Sequence, residues 1–225
     1  MGSQPDYECL RLEMVSRQIE ERGIREPRLL QALRSVPRHA FVPPEYQEHA
    51  YEDRPLPIGE GQTISQPYMV ALMTFLMHLK GTENVLEIGS GSGYQAAILS
   101  LLSQQVHSME RDDLLAKRAR KTLYDLGFLN VVIHTGDGSG GLPESGPYDG
   151  ILVTAAAPAV PQPLLEQLAP DGRLVLPVGG PNGQHLQVWW PTKTGFDYDE
   201  IAPVAFVPLR GTWGWSETDW DWSKE

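Results

Sequence analysis

Read for hydrophobic spacing, the first third of the chain falls into three unlike stretches. From about 14 to 33, apolar residues recur at helical intervals with charges between them, which predicts a helix interrupted by Pro27. The stretch 37–67 holds Pro37, Pro43, Pro44, Pro55, Pro57 and Pro67 with Gly59 and Gly61, and shows little periodicity. It predicts a long loop, either a lid that encloses a substrate or a static wrap. Residues 67–79, PYMVALMTFLMHL, are apolar nearly all round and open on a proline, as the first turn of a buried helix does.

From residue 84 the period alternates. NVLEIG (84–89), QVHSME (105–110), VVIH (131–134), YDGILVTAA (148–156) and RLVLPVG (173–179) read as strands. Between them YQAAILSLLS (94–103), DDLLAKRARKTLYDLG (112–127, ending at Gly127) and a segment around 162–168 read as helices. Strand–helix alternation predicts a doubly wound, mostly parallel α/β sheet. After Gly183 the runs HLQVWWPT (185–192) and IAPVAFVPL (201–209) follow each other without a helix, which predicts an antiparallel C-terminal edge.

A length of 225 residues suits one domain, and 41% apolar with 21% charged residues is an ordinary globular composition. The expected layout is one domain over 1–225: N-terminal helices and substrate loop at 12–80, an α/β core at 81–210 and a Trp-rich tail at 211–225. Cys9 is the only cysteine, so an intrachain disulfide is excluded and a reducing compartment fits. The N-terminal MGSQPDYECLRLEM has no signal-peptide core, and no run nears the ~18 apolar residues of a membrane helix, so a cytoplasmic location is expected. The formal charge of −11 argues against broad nucleic-acid or anionic-membrane binding. None of the six histidines has metal-ligand spacing, so no metal is expected.

EIGSGSG (87–93) is a glycine-rich turn between a predicted strand and a predicted helix, where a nucleoside-containing cofactor can approach backbone amides. The turn could equally be only a tight connection. GxGxxG would need glycine at 94, where Tyr94 stands, so a pyrophosphate is disfavoured. Glu110 ends the next strand, where a carboxylate can take both ribose hydroxyls, and Asp137 in HTGDG follows the third strand, near where an adenine amino group would sit. Ser65 precedes the buried helix. Its hydroxyl could cap that helix, or donate to a bound carboxylate there, or do both. No GxSxG elbow accompanies it, which speaks against a serine nucleophile.

EIGSGSG followed by ME (109–110) and GDG (136–138) resembles the class I S-adenosylmethionine-dependent methyltransferases. SRQIEERGI (16–24), VPRHAFVP (36–43), LPIGEGQTISQPYMVA (56–71) and FVPL (206–209) resemble one family within that class, protein-L-isoaspartate (D-aspartate) O-methyltransferase, over roughly 12–210. TISQP is the most specific of these motifs. The resemblance implies a Rossmann-like methyltransferase fold and transfer of the sulfonium methyl to the free α-carboxylate of L-isoaspartyl residues, initiating repair through a succinimide. It implies Ser65 as the active-site residue. It further implies Thr63, Ile64, Glu87, Gly89, Ser90, Gly91, Gly93, Glu110, Asp137 and Gly138 around S-adenosyl-L-methionine, and Ile58, Ser65 and Val207 around the substrate. The implied partners are isoaspartyl-containing proteins and peptides, bound by a monomer or weak homo-oligomer.

Two other readings stand beside it: methylation of another peptide or small-molecule acid, and a binding module without catalysis. After FVPL, the segment RGTWGWSETDWDWSKE carries Trp213, Trp215, Trp220 and Trp222 and matches no family pattern. Arg210 to Thr212 are candidate contacts to the cofactor. The tryptophans either pack on the chain's own core or form a subunit or partner contact.

Overall fold

Asp6 starts the first helix by accepting from Cys9 N at 3.1 Å, so α1 (Tyr7–Met14) begins ahead of the periodic stretch and runs into a wider helical turn over Val15–Glu20. Pro27 starts a helix rather than interrupting one: it is the first residue of α2 (Pro27–Ser35), with Glu26 accepting from Arg28 N and Leu29 N as the cap. The computed structural model describes residues 5–220.

The expected long loop at 37–67 is built of short pieces. Single tight helical turns at Arg38–Phe41 and Pro44–His49 lead into a hairpin of β1 (Leu56–Gly59) and β2 (Gln62–Ile64). Each piece is too short to print a period on the sequence. Then follow α3 (Pro67–Leu76), β3 (Asn84–Ile88), α4 (Tyr94–Ser100), β4 (Gln105–Glu110), α5 (Asp113–Asp125), β5 (Val131–Thr135), β6 (Tyr148–Val153), α6 (Gln162–Glu166), β7 (Leu168–Gly180), β8 (Gly183–Thr192) and β9 (Gly195–Val204).

The main sheet has the order β5-β4-β3-β6-β7-β8-β9, parallel from β5 through β7 and antiparallel from β7 to β9. This is the expected doubly wound sheet with an antiparallel edge. The chain winds outward from β3 to β5 and returns to β6 on the other side of β3, so the order reverses between β3 and β6, where open α/β sheets bind ligands. Side chains alternate faces. Leu86, Ile88, Ile151, Val153, Leu174 and Leu176 pack with Leu164 and Leu165 of α6. Val85, Leu152, Val175, Leu186 and Val188 pack with Met73, Met77 and Leu99 on the other side.

The last strand lies earlier than its predicted place. β9 takes the exposed, alternating 195–204 rather than 201–209, because FVPL leaves the sheet for the interior. Phe206 and Leu209 are buried, and the Gln184 amide holds the Phe206 backbone with bonds of 2.8 and 3.0 Å. Of the tryptophans, Trp220 is buried and packs edge-on to the half-buried Trp215 at 5.7 Å, both against the second of the two face clusters, while Trp213 stays 47% exposed. Trp222 lies outside the described residues. Among the described residues, no helix is long and apolar enough to cross a membrane.

Candidate active site

The carboxyl ends of β3, β4 and β6 open into a cavity of about 410 Å³. Gly89, Ser90 and Gly91 line one wall, and the loop is stitched to β4 by Gly89 N and Ser90 N donating to Met109 O at 2.9 and 3.2 Å. Gly89 has φ +96°, and a Cβ there would collide with Thr154 Oγ1, so only glycine serves. Thr154, at the end of β6, also lines the cavity and donates to Gly89 O at 2.7 Å. Gly93 stands one step back, as the left-handed residue that starts α4, outside the lining.

Glu110 lines the cavity with a carboxylate already in place: Oε2 accepts from Gly91 N at 2.8 Å and Oε1 from Asp112 N at 3.0 Å. Asp112 in turn caps α5 through Leu114 N and Leu115 N. Each Glu110 oxygen keeps a second lone pair, so two neighbouring hydroxyls of one ligand could be held at once.

Glu87 is fully buried beneath the glycine loop and does not line the cavity. Burial pushes its carboxyl up to about 8, the Ser108 hydroxyl bond opposes this, and the neighbouring Glu110 charge adds to it. Ser108 donates to Glu87 Oε2, and Ser90 Oγ stands 2.5 Å from Ser108 Oγ. With the Ser108 proton on Glu87, Ser90 donates to Ser108 and offers the cavity only an acceptor. Glu87 thus reaches the site through two serines.

Asp137 is likewise outside the lining, although its neighbour Gly138 is within it. Both its oxygens are taken: Oδ1 accepts from Ser139 N at 2.9 Å, and Oδ2 from Thr212 N at 2.8 Å and Thr212 Oγ1 at 2.9 Å. Burial alone would raise its pKa, but the bonds from Thr212 and Ser139 outweigh it and hold the carboxyl below its ordinary value. In this structure Asp137 fastens the tail. Gly211 makes the contact feasible, because a Cβ there would strike Asp137 Oδ1.

The opposite wall comes from the N-terminal segment. Thr63, Ile64 and Ser65 line the cavity, with Val70 and Met73 of α3 behind them. The cap of α3 is Gln66, with no side-chain capping bond, so Ser65 is not the capping residue that its place before Pro67 suggested. Ile58 is buried outside the lining, where its Cδ1 would be 3.4 Å from a Cβ at Gly91. Val207, Leu209 and Arg210 line the rim, and Ala156 is bonded to Val207 O and Leu209 N, both at 2.8 Å. Arg111 and the tail residue Glu217 pair across that rim at 2.7 Å.

Thr154, Arg111, Gln95 and Glu217 were not singled out from sequence. Thr154 carries a usable signal, since it ends the parallel strand beside the glycine loop at the switch point. Glu217 carries none, because only the tail's path brings it near.

The family model described as Protein-L-isoaspartate(D-aspartate) O-methyltransferase (PCMT) matches residues 11–213. The protein-L-isoaspartate O-methyltransferase of Methanoregula boonei is 55% identical over 205 residues, 91% of this chain and 94% of the relative. Protein-L-isoaspartate O-methyltransferase 1 of Syntrophobacter fumaroxidans is 50% identical over 210 residues, 93% and 98% of the two chains. A solved protein-L-isoaspartate O-methyltransferase superposes with a TM-score of 0.84 at 28% identity, over 91% of this chain and 67% of that one. A Plasmodium falciparum structure titled as such an enzyme in complex with S-adenosyl-L-homocysteine gives 0.78 at 26% identity, over 92% and 99%. A match this long, which takes in the TISQP segment, the glycine loop and FVPL alike, means that the chain belongs to the protein-L-isoaspartate O-methyltransferase family.

Proposed function

We propose that this enzyme transfers a methyl group from S-adenosylmethionine to the free α-carboxylate of L-isoaspartyl residues in damaged proteins and peptides. The observation that carries this is a single cavity with two unlike walls: Glu110 and the glycine loop on one, Ser65 at the head of α3 on the other. The residues present fit the cofactor. A side chain at Gly89 would strike Thr154, and Glu110 holds a fixed pair of acceptors at the ribose position. Gly89, Ser90, Gly91, Glu110 and Gly138 would hold it, with Thr63 and Ile64 facing them. When bound, S-adenosylmethionine supplies a methyl group on a positively charged sulfur.

The rest is positioning. A carboxylate with an ordinary pKa of about 3.5 is ionised at neutral pH, so it can attack without losing a proton, and among the described residues no histidine or lysine lines the cavity. Ser65 Oγ donates to one carboxylate oxygen and leaves the other free to form the new C–O bond. Val207 and the residues around Ile58 flank the peptide. The segment 12–80 and the tail act as a cover over the 81–210 core and exclude water, which strengthens each charge interaction inside. The ester formed then closes to a succinimide as the neighbouring backbone amide nitrogen attacks its carbonyl and methanol leaves with the amide proton, and hydrolysis returns some normal aspartate.

Within this reading the enzyme is a cytoplasmic monomer or weak homo-oligomer. Its lone Cys9 fits a reducing compartment. The test is methyl transfer from labelled cofactor to a matched pair of peptides. Transfer to the isoaspartyl peptide alone is expected. Equal transfer to the normal aspartyl peptide would refute the assignment, and normal cofactor binding without isoaspartyl turnover would point to another acid substrate.

A further inference from the structure

Gln95 stands in the first turn of α4, 7% exposed, and lines the cavity beside Val70 and Met73. Its Nε2 lies 2.8 Å from Thr74 Oγ1, and Thr74 Oγ1 lies 2.7 Å from Val70 O. A hydroxyl carries one proton, and Val70 O can only accept, so the Thr74 proton is spent on Val70. Thr74 must then accept from Gln95, and only the amide nitrogen can donate to it. The orientation of the amide is therefore fixed by logic rather than by choice.

This fixes the carbonyl as well. Oε1 is the other branch of the same planar amide, it accepts no hydrogen bond from the described residues, and it is not among the sealed, unpartnered atoms of the interior. An oriented acceptor thus borders the cavity, between the helix that follows Ser65 and the helix that follows the glycine loop. Those are the two walls between which methyl donor and acceptor must meet. A cavity acceptor held this firmly is matched by a ligand N–H, and both reactants carry such donors: the cofactor in its α-ammonium and adenine amino groups, the peptide in its backbone amides.

We propose that Gln95 Oε1 accepts a hydrogen bond from a ligand N–H in the reacting complex, with Thr74 as the residue that aims it. The proposal rests on the methyltransferase reading and adds a binding residue to it. Two variants separate acceptor from scaffold: Gln95→Met keeps the volume and removes the acceptor, whereas Thr74→Val keeps the acceptor and removes the group that aims it.

The experiment is calorimetric binding of S-adenosylmethionine to each variant, together with the KM for an isoaspartyl peptide and a thermal melt. The expected result is a roughly three- to tenfold loss in Gln95→Met, the worth of one neutral hydrogen bond, with a smaller loss in Thr74→Val. A loss in cofactor affinity puts the donor on the cofactor. A raised peptide KM with unchanged cofactor affinity identifies the peptide amide. Cofactor affinity and peptide KM both within twofold of wild type in a folded Gln95→Met would overturn the proposal and leave Gln95 as scaffold. Should Gln95→Met not fold, Thr74→Val decides, because it keeps the acceptor but releases its aim: a smaller loss in the same quantity supports the proposal, and none overturns it. Wild-type protein that binds no cofactor would instead refute the methyltransferase reading itself.

Discussion

The two walls of the cavity are held by different physics. On the strand side the contacts are short-range and protected: Gly91 N on Glu110, Thr154 on Gly89 O, and the relay from Ser90 through Ser108 to buried Glu87. On the covering side, the N-terminal hairpin is tied to α5 by Arg118 on Glu60 at 3.0 Å and on Ile58 O at 3.1 Å, and the tail by Arg111 on Glu217 at 2.7 Å. The side chains of those two ion pairs are 38–71% exposed, so water and salt compete for them. The Asp137–Thr212 clasp is a further tie of the tail, with one carboxylate oxygen accepting two bonds. The strand wall is thus preorganised for one ligand, while the cover is fastened at points and can yield to peptides of many sequences. Substitutions on the two sides should therefore have unlike signatures.

The largest effect belongs to Ser65, the residue that the proposed function sets against the reacting carboxylate. Ser65→Asp puts a negative charge against an anionic substrate and removes the hydroxyl donor. Methyl transfer to isoaspartyl peptide should fall by about a hundredfold or more. Since Gln66 rather than Ser65 is the cap of α3, neither Ser65→Asp nor Ser65→Ala should shift stability by more than about 0.5 kcal/mol. Near wild-type turnover in Ser65→Asp, measured with labelled cofactor, would remove Ser65 from the site.

On the strand wall, Glu110→Ala deletes the acceptors for two ligand hydroxyls and frees Gly91 N and Asp112 N. Cofactor affinity by calorimetry should drop at least tenfold, since bonds to charged groups contribute about 1.5–3 kcal/mol each. Turnover at saturating cofactor should suffer far less than in Ser65→Asp. An unchanged affinity would mean that the strand wall does not carry cofactor binding.

The same contrast explains what could be read from sequence. Strands buried on both faces, such as Asn84–Ile88 and Tyr148–Val153, leave largely apolar runs, so the parallel core was legible, while the strand order that makes the switch point was not. The hairpin strands of four and three residues, set among prolines, leave no period to detect. Ser65 was legible through its motif, but the capping role its place suggested is not realised, because Gln66 rather than Ser65 is the cap of α3. Asp137 was visible as an acid after a strand, yet its partner Thr212 sits 75 positions away and nothing in the local pattern links them. β9 was misplaced because FVPL is as apolar as a strand but packs inward, pairing only through an isolated bridge between Pro208 and Ala156.

Glu87 gives a pH test of the strand wall. Its carboxyl ionises near 4.5 ordinarily and about 8 when buried in the fold. Between those values the folded protein holds a proton that the unfolded chain lacks, so this group's contribution to stability declines as pH rises from about 4.5 to about 8. Glu87→Gln stays neutral throughout. The melting temperature of the variant relative to wild type should therefore climb between pH 5 and pH 8.5. A difference that is flat across this range would show that Glu87 is ionised in the fold at all these values.

The smallest effect is predicted where the contact looks most direct. Arg111 and Glu217 bridge the cavity rim at 2.7 Å, but their side chains are 51% and 71% exposed. An exposed pair of this kind contributes about 0–1 kcal/mol, because holding two long side chains together offsets most of the attraction. The tail has other ties in the Asp137 clasp and in the Arg210 guanidinium, which donates to Ser216 O and Trp220 O. Glu217→Gln should therefore leave the melting temperature unchanged and alter cofactor affinity by less than about threefold, with the difference vanishing in ~1 M salt as the charges are screened. Thr212→Val, which removes one of the bonds to Asp137, should weaken cofactor binding more than Glu217→Gln and should do so at any ionic strength. Were Glu217→Gln the more damaging of the two, the tail would be held by its exposed ion pair, and the cover would be fastened at the rim rather than at Asp137.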